Sequence, residues 1–320
     1  MTNITNHPEI LNSQKKDNTR KYITDVSICN SEIPLWEVWD VYGFNKIIGH
    51  AKYINRDYGK VLFRGQTNIY SSFQPSAYRR SSKLQSGSYR SLSKAQIDKI
   101  LQKNISILQN DKGNGNNQKS TIVTFINSNE HEVLEAILQH YCYKTRFIDV
   151  VDNQWIALWF ASHRKIEDNE LHLIQGSRKT NFECDYYTYS NEEYSYVYLL
   201  AIPDEESLLT KNGGIEKGSL HCLVDIRRAC PSVILRPHMQ HGLVVGYYDE
   251  CSKFKVDYAE QLIAIIRIKT EKCIEWLKGD KTLTAEALFP NPGYDKMYEM
   301  ILEIRKDLFD SLENPTGLEA

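Results

Sequence analysis

The spacing of apolar residues divides the chain into an early part read mainly as helix and a later part read as strand. Residues 1 to about 30 are polar and rich in Asn, Thr and Lys. They lack a period, so a flexible tail is expected, with Tyr22 to Ile28 available as an edge strand. From Ser31, Leu35, Trp36, Val38, Trp39 and Tyr42 recur at helical spacing behind Pro34. The pattern predicts a helix that continues through Ile47, Ile48 and Tyr53. Val61 to Arg64 reads as a strand. Residues 81 to about 120 are rich in Ser, Asn and Gly and read as a variable insertion, with one amphipathic helix at Ala95 to Leu108. Asn129 followed by Glu132 has capping-box spacing ahead of Val133, Leu134, Ile137, Leu138 and Tyr141. A polar turn then leads to Phe147–Val150. The next helix, Asn153 to about Arg164, is apolar all round and is expected to be deeply buried. Val197–Ile202, Cys222–Ile226, Leu243–Tyr248 and Leu262–Ile268 read as strands. Helices are expected at Thr270–Leu277 and from Pro292 to about Leu312.

Helices precede strands without regular alternation, which favours an α+β fold: a mixed, mainly antiparallel sheet with flanking helices. The GxGxxG and GxxxxGK[ST] fingerprints are absent, which argues against Rossmann and P-loop nucleotide sites. Net charge is −2, so any nucleic-acid contact would need a local patch. Seven scattered cysteines without a CxxC pair read as reduced thiols, and no metal site is expected. No apolar run approaches the roughly 20 residues that span a bilayer. The N-terminus has no basic segment followed by an apolar core, so a cytoplasmic location is expected.

Candidate chemistry concentrates at Leu62-Phe63-Arg64-Gly65-Gln66-Thr67. An arginine at a strand end beside a glycine suggests an anion site, most simply a phosphate, with bare backbone close by. Two further segments stand out. One runs from Leu138-Gln139-His140-Tyr141 through Thr145-Arg146 and Asp149 to Asn153-Gln154-Trp155-Ile156-Ala157-Leu158-Trp159-Phe160-Ala161. The other is Arg236-Pro237-His238-Met239-Gln240-His241-Gly242-Leu243, with a later Leu288-Phe289-Pro290.

In this order the segments resemble the FRG domain family, over roughly Trp36 to Ile301, so 31–315 is assigned as the domain. The chain departs from the family at Cys142 and Lys144, where Gly and Pro are usual. It also has Val150 in place of a Trp, and Asn291-Pro292 after Phe289-Pro290. The family occurs in bacterial conflict and phage-defence settings, and is distantly similar to ADP-ribosyltransferases. The resemblance implies an ADP-ribosyltransferase-like fold and NAD as substrate. It also implies an effector of defence or toxin activity, with an antitoxin or sensor as partner and a protein or nucleic acid as acceptor. On that basis Arg64, Gly65 and Gln66 would bind NAD. His140, Thr145, Arg146, Asp149 and Gln240 would complete the pocket, with Arg64 and His140 among the catalytic groups. An acid must face the ribose as nicotinamide leaves; Glu286 is the first candidate and Glu260 the second.

Plainer readings stand beside these. Arg64 could form a salt bridge to Asp149, and Arg146 could pair with Asp149. His140 could be a hydrogen-bonded core histidine, and Trp155, Trp159 and Phe160 are expected to be core. A rival function is a nucleic-acid-binding or sensor module using Arg64, Arg79, Arg80 and Arg146 as phosphate contacts. A third is a metal-dependent nuclease using Asp149 and Asp152.

Overall fold

Cys29 and Asn30 have φ of 46° and 69°, the left-handed pair that a tight two-residue hairpin requires. They join β1 (Arg20–Ile28), the edge strand that Tyr22 to Ile28 offered, to β2 (Ser31–Val38). The helix expected from Ser31 is therefore corrected. Ser31–Val38 is a strand, and the helix begins only at α1 (Val41–Ile54), with the Asp40 side chain accepting from the Gly43 N–H at 2.8 Å. Tertiary pairing explains the difference. β2 lies between β1 and β12 (Leu262–Lys269), with both faces covered. Ile33 and Leu35 enter one core cluster, and Trp36 and Val38 the other. A strand buried on both faces loses the polar alternation that would mark it in sequence.

The computed structural model describes residues 17–79, 117–141, 145–166, 187–204, 210–218, 221–247, 257–279, 281 and 283–302. The helix expected at Ala95–Leu108 lies outside them. The remaining strands are β3 (Gly59–Gln66), β4 (Ile148–Val151), β5 (His163–Lys165), β6 (Tyr187–Tyr189), β7 (Tyr194–Pro203), β8 (Thr210–Asn212), β9 (Ile215–Lys217), β10 (His221–Asp225) and β11 (Gly242–Tyr247). The helices are α2 (Asn117–Ser128), α3 (His131–His140), α4 (Gln154–Ser162), α5 (Ile226–Ala229), α6 (Leu235–Met239), α7 (Thr270–Trp276) and α8 (Ala285–Leu288). Residues 296–302 are also helical.

Ten strands form one open sheet in the order β1-β2-β12-β7-β3-β4-β11-β10-β9-β8, while β5 and β6 pair apart from it. The described contacts are antiparallel except for β2 with β12. The α+β expectation holds at this level. Asn129 does not cap α3: its Nδ2 donates back to the Phe125 carbonyl at 2.7 Å, and Glu130 occupies the cap position. Asn153 caps α4 by accepting from the Trp155 N–H. Among the described residues no helix is long and apolar enough to cross a membrane.

The sheet alternates as a two-faced layer. One face carries a single cluster that includes Leu62, Val150, Leu223 and Leu243. The opposite face carries two clusters. One lies under α1, α4 and α7 with Phe63 and Val151. The other lies under α2, α3 and 297–301 with Val224 and Val244. The boundary between these two falls at β3 and β4, which share one registered pair, Phe63 with Val151. By contrast, β3 is registered with β7 along all its length, from Gly59–Pro203 to Gln66–Tyr196.

Gly65 fits the same frame. A methyl group there would run into the Ala157 carbonyl, the Ala161 N–H and Phe160 of α4. The glycine thus lets the helix press on the strand, and the open backbone edge expected beside Arg64 is covered on that side. Gly65→Ala is expected to destabilise the fold by about 3 kcal/mol through overpacking. The check is a lower urea midpoint with an unchanged denaturant slope.

Candidate active site

Where β3 and β4 part, a cleft of about 250 Å³ opens beside Arg64, Asp149 and His140. β4 directs Asp149 and Val151 to the face carrying the two helical clusters. Arg64 starts on the other face, alternating with Phe63, and registers with Tyr198. Its Nη1 nevertheless donates to the Asp149 carbonyl oxygen at 2.7 Å and lies 3.6 Å from Asp149 Oδ2. The side chain therefore fills the gap left by the interrupted ladder. Its Nε is buried without a hydrogen-bond partner among the described residues.

Asp149 is held from a second side. Gln139 Nε2 donates to Asp149 Oδ2 at 2.7 Å, and Gln139 Oε1 accepts from the Thr145 hydroxyl. Thr145, fully buried, also accepts from the Phe147 N–H at 3.2 Å, so the turn before β4 sets the amide that grips the acid. Asp149 Oδ1 faces His140, whose Nε2 is 3.9 Å away. His140 Nδ1 lies 3.2 Å from Gln240 Oε1, and Gln240 Nε2 donates to the Leu288 carbonyl at 2.8 Å. Burial lowers the His140 pKa; Asp149 and the Gln240 hydrogen bond pull it up, and the Arg236 charge adds to the lowering. The net effect favours a neutral imidazole.

The opposite wall is aromatic. Tyr187 stacks on Phe289 with centroids 4.4 Å apart and planes at 21°, and Phe160 meets Phe289 edge-on at 6.0 Å. Trp159 is core, as expected, while its neighbour Phe160 lines the cleft. Behind the wall, Arg236 is almost fully buried. Its guanidinium lies over Tyr298, Tyr141 and Phe289 at 4.3, 4.9 and 5.2 Å, and Nη1 donates to the His140 carbonyl at 3.0 Å. Asp295 accepts from the Tyr141 hydroxyl at 2.7 Å and from the Arg236 N–H at 3.0 Å.

The sequence-derived site residues divide accordingly. Arg64, Gly65, His140, Asp149 and Gln240 line the cleft. Thr145 lies one step behind it, through Gln139. Gln66 ends β3 opposite Tyr196, outside the lining. Arg146 is not a pocket residue and does not pair with Asp149. It forms a charge-assisted clamp on the fully buried Glu135, with Nη2 to Oε2 at 2.6 Å and its backbone N–H to Oε1 at 2.8 Å. Neither candidate acid lines the cleft. Glu286 is exposed on α8, one turn from Phe289. Glu260 is exposed in the short helix before β12, near Cys29. The carboxylate in the cleft is Asp149, which the sequence reading gave a supporting place. Gln139, Tyr187 and Phe289 were missed as lining residues, although Gln139 and Phe289 sit inside the quoted segments.

A second cavity of about 310 Å³ lies where β3 and β4 part on the other side of the Phe63–Val151 pair. Several of its charges are paired: Arg227 with Asp152 and Asp225 at 2.9 and 2.8 Å, and Lys60 with Glu216. Asp152 thus belongs to this cluster with His241, apart from Asp149. Among the described residues no three His, Cys, Asp or Glu side chains gather as a metal site.

Residues 59–170 match the family model described as the FRG domain. This segment holds Arg64, Gln139, His140, Asp149 and Phe160, and its match supports the FRG domain family. Comparison with curated proteins and with solved structures finds no match.

Removing Arg146 would leave Glu135 charged and buried. Arg146→Ala is expected to cost about 3 kcal/mol, read as a lower midpoint in equilibrium unfolding.

Proposed function

We propose that the cleft is an NAD-cleaving centre of the ADP-ribosyl-transfer class, acting as an effector in bacterial defence or toxin activity. The observation that carries this reading is the meeting of Asp149, Arg64 and the Tyr187–Phe289 wall in one cleft. Leaving nicotinamide gives the ribose an oxocarbenium character, which needs a nearby anion, an apolar wall for the ring and a cation for the diphosphate. Asp149 supplies the anion, in the role that sequence alone suggested for Glu286. Tyr187, Phe289 and Phe160 supply the wall. Arg64 supplies the cation. Arg79 stands near enough to feel the charges of both Arg64 and Asp149, so it extends the positive side of the site.

Size refines the reading. Pockets that enclose a whole drug-sized ligand occupy roughly 300–1,000 Å³. A cleft of about 250 Å³ suits the nicotinamide-ribose end, with the rest of NAD running outward past the arginines. In the reaction the C1′–N bond breaks and its electron pair leaves with nicotinamide, while an acceptor lone pair forms the new bond to C1′. A protein side chain, a nucleic-acid base or water is the acceptor.

The arginines also support a second reading, a nucleic-acid-binding module. It loses Arg146, which is committed to Glu135. It predicts salt-sensitive binding without nicotinamide release.

Purified protein incubated with NAD is expected to release nicotinamide. Arg64→Ala and Asp149→Asn should each slow release by about 100-fold or more, whereas Glu286→Gln should leave it within about twofold, the scatter expected of a surface substitution. No release by the wild type, or undiminished release by Asp149→Asn, refutes the proposal.

A further inference from the structure

His140 is buried, its Nε2 has no hydrogen-bond partner among the described residues, and that nitrogen faces Asp149 Oδ1 at 3.9 Å. The other ring nitrogen fixes what Nε2 carries. Gln240 spends its amide N–H on the Leu288 carbonyl, so its Oε1 is the atom turned to His140 Nδ1. Flipping the amide would set two carbonyl oxygens against each other. An unprotonated Nδ1 would likewise set its lone pair against Oε1 at 3.2 Å. This contact favours a proton on Nδ1, which would leave the Nε2 lone pair on the side of the acid.

The ring is packed edge-on against β11. A methyl group on Gly242 would collide with it, so the glycine lets β11 lie against its edge, and Arg236 holds the His140 carbonyl. The charged groups facing the ring are Asp149 from β4 with Arg64 of β3 beyond it, and Arg236 of α6 with Asp295 beyond it.

We infer that His140 is the proton acceptor behind Asp149, and that Gln240 is the positioning residue that fixes its tautomer for this task. The inference deepens the proposed reaction and rests on it for the chemical step, but the tautomer and the His140–Asp149 coupling stand without it. Asp149 contacts the substrate. When the acceptor is a hydroxyl, its O–H bond breaks as its oxygen bonds to C1′ and nicotinamide departs with the old bonding pair. The proton goes to Asp149 Oδ1 and on to His140 Nε2, which restores the carboxylate and leaves an imidazolium beside it. Closing the 3.9 Å gap to hydrogen-bond distance accompanies the transfer.

The test is nitrogen NMR of the full chain labelled in histidine, with the His140 signal identified by its loss in His140→Gln. The wild type at neutral pH should show the neutral Nδ1–H tautomer. Asp149→Asn should lower the His140 pKa, and Gln240→Leu should move the ring toward the Nε2–H tautomer. Gln240→Glu should raise the His140 pKa by about one unit or more. An Nε2–H ring in the wild type overturns the inference, as does a pKa insensitive to Asp149→Asn or a tautomer insensitive to Gln240→Leu. With NAD, the acid limb of the kcat/KM profile should follow the NMR pKa upward in Gln240→Glu; a limb that stays put overturns the relay. If the wild type releases no nicotinamide, the proposed function and the relay step fall together, while the NMR result alone decides the tautomer and the coupling.

Discussion

The structure depends on an interrupted ladder. A ten-stranded sheet is joined through its middle by one registered pair, Phe63 with Val151. Backbone hydrogen bonds missing from the interior of a sheet must be replaced, because unmet polar groups are costly away from water. Arg64 makes part of that repair by donating to the Asp149 carbonyl across the gap. The same interruption separates the two helical clusters on one face and leaves the cleft between them. The arginine thus does two things at once: it closes a hole in the sheet and places a positive charge against the acid.

Around this gap the polar side chains form a connected chain rather than isolated contacts. Thr145 orients Gln139, Gln139 and Arg64 hold Asp149, and Gln240 holds His140 from behind. Each member is held by the next, and Thr145 anchors the chain from behind the cleft, so each side chain is kept in one geometry. Two buried charge centres lie outside this chain, Glu135 with Arg146 and Asp295 beside Arg236. They anchor the turn before β4 and the end of α3. Breaking either would displace the site through its supports.

Small residues serve the same end. Gly65 admits α4 against β3, and Gly242 admits the His140 ring against β11. Both glycines are required by close packing, and neither has the positive φ that would point to a turn.

Period and residue chemistry made much of this legible. The all-apolar helix at Gln154–Ser162, the strands at Tyr194–Pro203, Gly242–Tyr247 and Leu262–Lys269, and the mixed fold class can be read from spacing alone, because burial leaves a regular signature. Arg64, His140, Asp149 and Gln240 could be named because they lie in distinctive segments. Partnership could not be read. Ser31–Val38 resembled a helix start because both its faces are buried, a fact set by β12, more than 200 residues away. Arg146 could have paired with Asp149 three residues on; it pairs instead with Glu135 on the preceding helix. Glu286 looked like the missing acid because it stands near Phe289, yet α8 turns it to the surface. Sequence determined which residues carry charge and which segments are buried. Only the tertiary structure decided which acid meets Arg64, because that depends on where two strands stop pairing.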